Sequence, residues 1–126
     1  MEIALWVVQG VLAVVFVMAG AMKALKSHEA LKADPHMAWS QDFSAGFIKF
    51  IGLAEVAGGL GLVLPGLTGI APVLTPLAGA CLAVIMLGAA VVHVRRSETN
   101  MVLPTLMLAA MSAFVAYGRF VASPLG

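Results

Sequence analysis

A glutamate, a lysine and a histidine carry the chemistry this chain can offer. Glu55 is the single charged residue between Phe50 and Val92. A stretch that apolar lies in hydrocarbon, where an ionisable side chain is costly and by default marks a functional position facing the interior. There a carboxyl group either takes up a proton or pairs with a cation. Two partners are in reach by sequence position: Lys23, which closes the apolar stretch starting at Ile3, and His93, which stands just before Arg95-Arg96. An imidazole also suits proton exchange near neutral pH. Each has a plainer reading: a snorkelling lysine, a satisfied interfacial histidine, and a glutamate that only ties two helices together.

Placing these three groups requires helices through a membrane. With 62% hydrophobic and 10% charged residues, the chain belongs among integral membrane proteins. Its 126 residues leave room for four spans and no second domain. The expected fold class is all-α, an integral membrane four-helix bundle. It forms one transmembrane domain over residues 1–126, with helices at about 3–25, 46–64, 76–94 and 101–120. Pro65, Gly66, Gly69 and Pro72 read as the turn after helix 2. Thr75-Pro76 reads as an N-cap followed by proline at the first helical position. Asn100 or Thr99 would cap helix 4, with Pro104 in its first turn.

The connection from Lys23 to Ala45 is the sizeable extramembrane piece. Within and after it Trp39, Phe43, Phe47 and Phe50 recur at helical spacing, which predicts an aromatic stripe anchored at the headgroup level. The alternative is one wall of a ligand pocket. His28 and His36 lack ligand spacing, so no metal site is expected. The lone Cys81 excludes dithiol exchange by this chain alone and reads as apolar filler in helix 3. A formal net charge of +1 argues against nucleic acid.

Charge also orients the bundle. Lys23, Lys26, Lys32, Lys49, Arg95 and Arg96 fall on one side, against Arg119 on the other. The positive-inside rule therefore puts both termini outside, as a multi-pass protein of the cell (inner) membrane. Positive charge follows the first apolar stretch rather than preceding it, so that stretch reads as a helix rather than a signal peptide. Glu55 is then roughly 13 Å deep from the basic side. Arg119, with Ser112 and Thr105 behind it, is expected to anchor helix 4 at the outer interface.

Small residues surround the acid. Gly52, Glu55 and Gly59 share a face of helix 2, and Gln9, Phe16, Gly20 and Lys23 share one of helix 1. Such faces serve close helix packing or form a flat wall for a planar ligand. On the second reading Gly52, Gly59, Gly20 and Gln9 line a pocket between helices 1, 2 and 3, open toward the inner leaflet.

The run Ala19-Gly20-Ala21-Met22-Lys23, the block Gly52-x-x-Glu55-x-x-Gly58-Gly59, the Thr68-Gly69 turn and Val92-His93-Val94-Arg95-Arg96 together resemble the DoxX-like family of small four-helix membrane proteins. The resemblance covers nearly the whole chain. It implies the four-helix membrane fold and a mainly bacterial occurrence; the family takes its name from a membrane subunit of an archaeal thiosulfate:quinone oxidoreductase. Two function classes follow. In the first, the bundle is the membrane part of a redox system and binds a quinone-like or other flat apolar molecule near Glu55, with His93 and Lys23 as binding and proton-exchange groups. No cofactor motif is encoded, so electrons would come from a soluble or membrane partner subunit. In the second, the chain is a non-catalytic anchor or assembly subunit, and Glu55 locks the helices. The lipid bilayer is a partner in both, and a homo-oligomer is compatible with both.

Overall fold

The computed structural model describes residues 2–124, apart from the side chains of Pro35 and His36. Every regular element in it is helical: α1 (Glu2–Leu25), the short α2 (His28–Ala33), a 3-10 segment (Pro35–Asp42), α3 (Ala45–Thr68), α4 (Leu74–Arg95), α5 (Thr99–Tyr117) and a π turn (Gly118–Ala122). Four helices are long and apolar enough to cross a membrane: Glu2–Leu25, Ala45–Thr68, Leu74–Arg95 and Thr99–Ala122. The chain is thus an all-α integral membrane four-helix bundle, and these helices meet the lipid bilayer.

In a lipid solvent an apolar side chain gains little by turning inward, so small and polar residues mark the inner face instead. Gln9, Gly20 and Lys23 are buried on α1, Gly52, Glu55, Gly58 and Gly59 on α3, Thr75, Gly79 and His93 on α4, and Thr105 and Ser112 on α5. Val7, Val14, Met18, Leu53, Val84 and Leu103 face outward. Cys81 is exposed on this lipid face, where it fills no gap in the interior.

The glycines set the helix pairing. A Cβ on Gly20 would strike the Gly52 carbonyl, and one on Gly52 would come within 2.7 Å of the Gly20 carbonyl, so α1 and α3 run in backbone contact. Gly79 brings α4 as close to α5, where a Cβ would lie 2.9 Å from the Ser112 carbonyl. These two tight pairs join through α3 and α4, with Gly58 under Leu82 and Gly61 against Ala78. Leu12, Phe16, Leu62, Leu82, Met86, Ala109 and Val115 fill the shared core. A smaller core of Leu31, Met37 and Ile48 seats the connecting segment.

The expected break at Pro65-Gly66 is not observed. Helix α3 continues to Thr68 and ends at Gly69, in the left-handed region with φ 73°. Pro65 has no amide hydrogen to give the Gly61 carbonyl four residues earlier. The Thr75 hydroxyl donates to that carbonyl from α4 at 2.9 Å. Thr75 is therefore not the expected N-cap: α4 starts at Leu74 after Val73, and the hydroxyl serves a neighbouring helix. Helix α5 begins at Thr99 after Glu98, so neither Thr99 nor Asn100 caps it and Pro104 lies beyond the first turn.

Candidate functional site

A cavity of about 520 Å³ opens between the α1/α3 pair and the α4/α5 pair, at the end of the bundle that carries the connecting segment. Its walls are mostly aliphatic and methionine side chains. Phe16, Trp39, Phe43 and Phe47 supply aromatic surface, and Lys23, Glu55, His93 and Thr105 are its polar points. The fourth span contributes through Met101, Thr105 and Leu108, so the cavity involves all four long helices rather than the first three.

Glu55 projects from the middle of α3 and is 1% exposed. Lys23 reaches it from the last turn of α1, with Nζ donating to Oε1 at 2.6 Å. The same ammonium lies 6.0 Å from the Trp39 ring centroid, so the connecting segment closes over it with aromatic surface. A buried pair of this kind is strongly destabilised when one member is removed, because the other is left as an uncompensated charge.

His93 lines the cavity in the last turn of α4 but pairs with Glu98, not Glu55: its Nδ1 lies 2.9 Å from Glu98 Oε1. Arg96 continues the chain, with Nε 3.4 Å from Glu98 Oε2 and Nη1 donating to Asp42 at 2.8 Å. The hydrogen bond to His93, and after it the nearby Arg96 guanidinium, hold the Glu98 carboxyl below its ordinary range against the opposing effect of burial. The bonds to Asp42 and then Glu98 raise the Arg96 guanidinium. Nothing in linear spacing singles out Glu98, since five residues across a helix end share no face until the turn is known.

The aromatic stripe divides. Trp39 meets Phe43 edge-on at 5.9 Å and Phe43 stacks on Phe47 at 5.1 Å, all three against the cavity. Phe50, 66% exposed, is left to lipid. Trp39 belongs to the 3-10 segment, Phe43 to the link before α3, and Phe47 and Phe50 to α3, so the four rings do not share one helix face.

Three expectations change. Gly20, Gly52 and Gly59 do not line the cavity; they are consumed in the α1–α3 seam, where Gly59 meets Ala13 and Val17. Gln9 lies away from the cavity and spends its amide on the Leu62 carbonyl. Arg119 does not anchor at an interface: it is 2% exposed. It continues the buried face of Thr105 and Ser112, and a wide turn closed by Ser123 N donating to the Gly118 carbonyl at 2.7 Å follows it. It donates to Gln9 Oε1 at 2.8 Å, to Glu2 Oε1 at 2.7 Å and to the Ser123 carbonyl at 2.9 Å. His28 bonds the Ser40 carbonyl at 2.9 Å, while the His36 side chain lies outside the described residues. Among the described residues no group of three or more His, Cys, Asp or Glu could hold a metal.

No curated protein and no solved structure matches this chain. The family model described as the DoxX-like family matches residues 7–115. The chain belongs to the DoxX-like family.

Proposed function

We propose that this member of the DoxX-like family binds a quinone or a similarly flat, apolar, oxygen-bearing molecule in the cavity beside Glu55, as the membrane part of a redox system. The observation that carries the reading is one cavity that brings the Lys23–Glu55 pair and His93 together under aromatic walls. Its volume, about 520 Å³, falls within the usual range for ligand sites, which combine apolar walls with a few convergent polar groups. Phe16, Trp39, Phe43 and Phe47 offer faces and edges to a planar ring. Lys23 and His93 can hydrogen-bond its oxygens. The lining also includes the outward-facing Val15, Phe47 and Val84, so a ligand dissolved in the bilayer can enter sideways and leave an isoprenoid tail among lipid chains. In this proposal both termini lie outside, the cavity faces the inner leaflet of the cell membrane, and a partner subunit supplies the electrons.

Binding of a short-chain quinone probe to the protein in nanodiscs tests this. Saturable binding to wild type is expected, weakened roughly ten-fold in Glu55→Gln and, for the reduced hydroxyl form of the probe, in His93→Ala. Equal, non-saturable partitioning into all three would remove the ligand reading. The anchor reading would then stand, favoured by one observation: Glu55 already has a complete partner in Lys23 at 2.6 Å.

A further inference from the structure

The turn after α4 fixes more than a change of direction. Ser97 N donates to the Val94 carbonyl at 3.1 Å, and Glu98 N donates to the His93 carbonyl at 2.8 Å. Together these are the paired bonds of a Schellman ending. Ser97 takes its left-handed position with φ 58°. The result folds the Glu98 backbone onto His93 and brings the Glu98 carboxylate onto the same residue's ring, at 2.9 Å from Nδ1. Arg96 at 3.4 Å from Oε2 steadies the other oxygen.

An ionised carboxylate only accepts hydrogen bonds, so the proton in this contact belongs to Nδ1. In the neutral form of the ring the lone pair is then on Nε2, which has no hydrogen-bond partner among the described residues, while the side chain lines the cavity. Lys23 presents the opposite character, since an ammonium is a donor with no lone pair.

We infer that Glu98 is a positioning residue that makes His93 a hydrogen-bond acceptor toward the cavity, so that the site recognises its planar ligand by a hydroxyl, as in a phenol or quinol, in preference to the carbonyl form. The inference rests on the proposed ligand reading and names the chemical form that site selects. Lys23 serves the ligand's other oxygen, whichever form is bound. In Glu98→Gln the Arg96 guanidinium, a donor beside Oε2, takes the amide oxygen and leaves the amide NH2 facing Nδ1, which moves the ring proton to Nε2 and turns His93 into a donor.

Two measurements on the full chain in nanodiscs test this. Nitrogen-15 shifts of labelled histidine at neutral pH should show His93 protonated on Nδ1 in wild type, and a shift toward Nε2 in Glu98→Gln. A short-chain quinol should bind wild type about ten-fold more tightly than the matching quinone, and Glu98→Gln should abolish or reverse that ratio. A wild-type ring protonated on Nε2 overturns the inference even if the variant fails to assemble. Saturable binding with equal affinity for the two probes overturns it alone. Absence of saturable binding by either probe removes the ligand reading and this inference with it.

Discussion

Two clusters, each built around a buried charge, occupy opposite ends of this bundle and differ in what surrounds them. At one end Arg119, Glu2, Gln9 and Ser123 close on one another, with Gly118 against Leu5 and the Trp6 ring 5.4 Å from the guanidinium carbon. At the other, Lys23–Glu55 and His93–Glu98 stand around a cavity of about 520 Å³. Ionisable residues sit inside apolar helices in both, so the cost of burying charge does not by itself distinguish a lock from a binding site. Space does. The Arg119 cluster ties the first turn of α1 to the end of α5, whereas the Glu55 cluster leaves two polar walls with room between them.

The strongest way to break that contrast is at Glu55. Glu55→Leu strands the Lys23 ammonium, and we expect it to lower unfolding stability by about 3 kcal/mol. Glu55→Leu combined with Lys23→Met should recover much of the loss without restoring ligand binding. Unfolding of the purified variants in detergent reads this directly, and a double variant no better than the single would mean the two residues are not coupled. Arg119→Leu should come next, losing about 2 kcal/mol through its bonds to Gln9, Glu2 and Ser123. It should leave probe affinity unchanged, and a comparable loss of affinity there would erase the difference between the two ends.

The smallest effect is expected from pH. The folded Glu98 carboxyl sits below its ordinary value of 4.5, so it binds its proton more weakly than in the unfolded chain. Its stabilisation is complete above about pH 4.5 and is lost as pH falls through the lowered folded value. The stabilities of wild type and Glu98→Gln should therefore converge from pH 6 downward, with wild type losing stability that the variant never had. Parallel curves would count against the His93 contact.

The reach of Lys23 to Glu55 was legible in the sequence, because charge in hydrocarbon faces inward and the lysine that closes the apolar stretch has the length to follow where α1 continues past Met22. The four spans were legible for a related reason, since lipid demands long apolar helices. What the residues did not disclose depends on turns. Glu98 meets His93 only through a left-handed Ser97, a position usually held by glycine. Arg119 lies on the buried face of Thr105 and Ser112, where a helical wheel places it, but the wheel does not show its partners Gln9 and Glu2 from the other end of the sequence, nor the widened turn that brings it the Ser123 carbonyl. The glycine face was ambiguous on its own, because close packing and a flat ligand wall ask for the same missing side chains. The carbonyls of Gly20 and Gly52 decide in favour of packing. Pro65 misled for a similar reason, its vacant acceptor being satisfied from a helix ten residues further along the chain.

That last bond acts as a clasp. By clasping α3 and α4 at Gly61 and Thr75, it pins the two helix pairs together at the end remote from His93. At the cavity end, where Phe47 and Val92 face the opening, the Arg96–Asp42 bond is the second clasp, so the two pairs are held at both ends with the space between them.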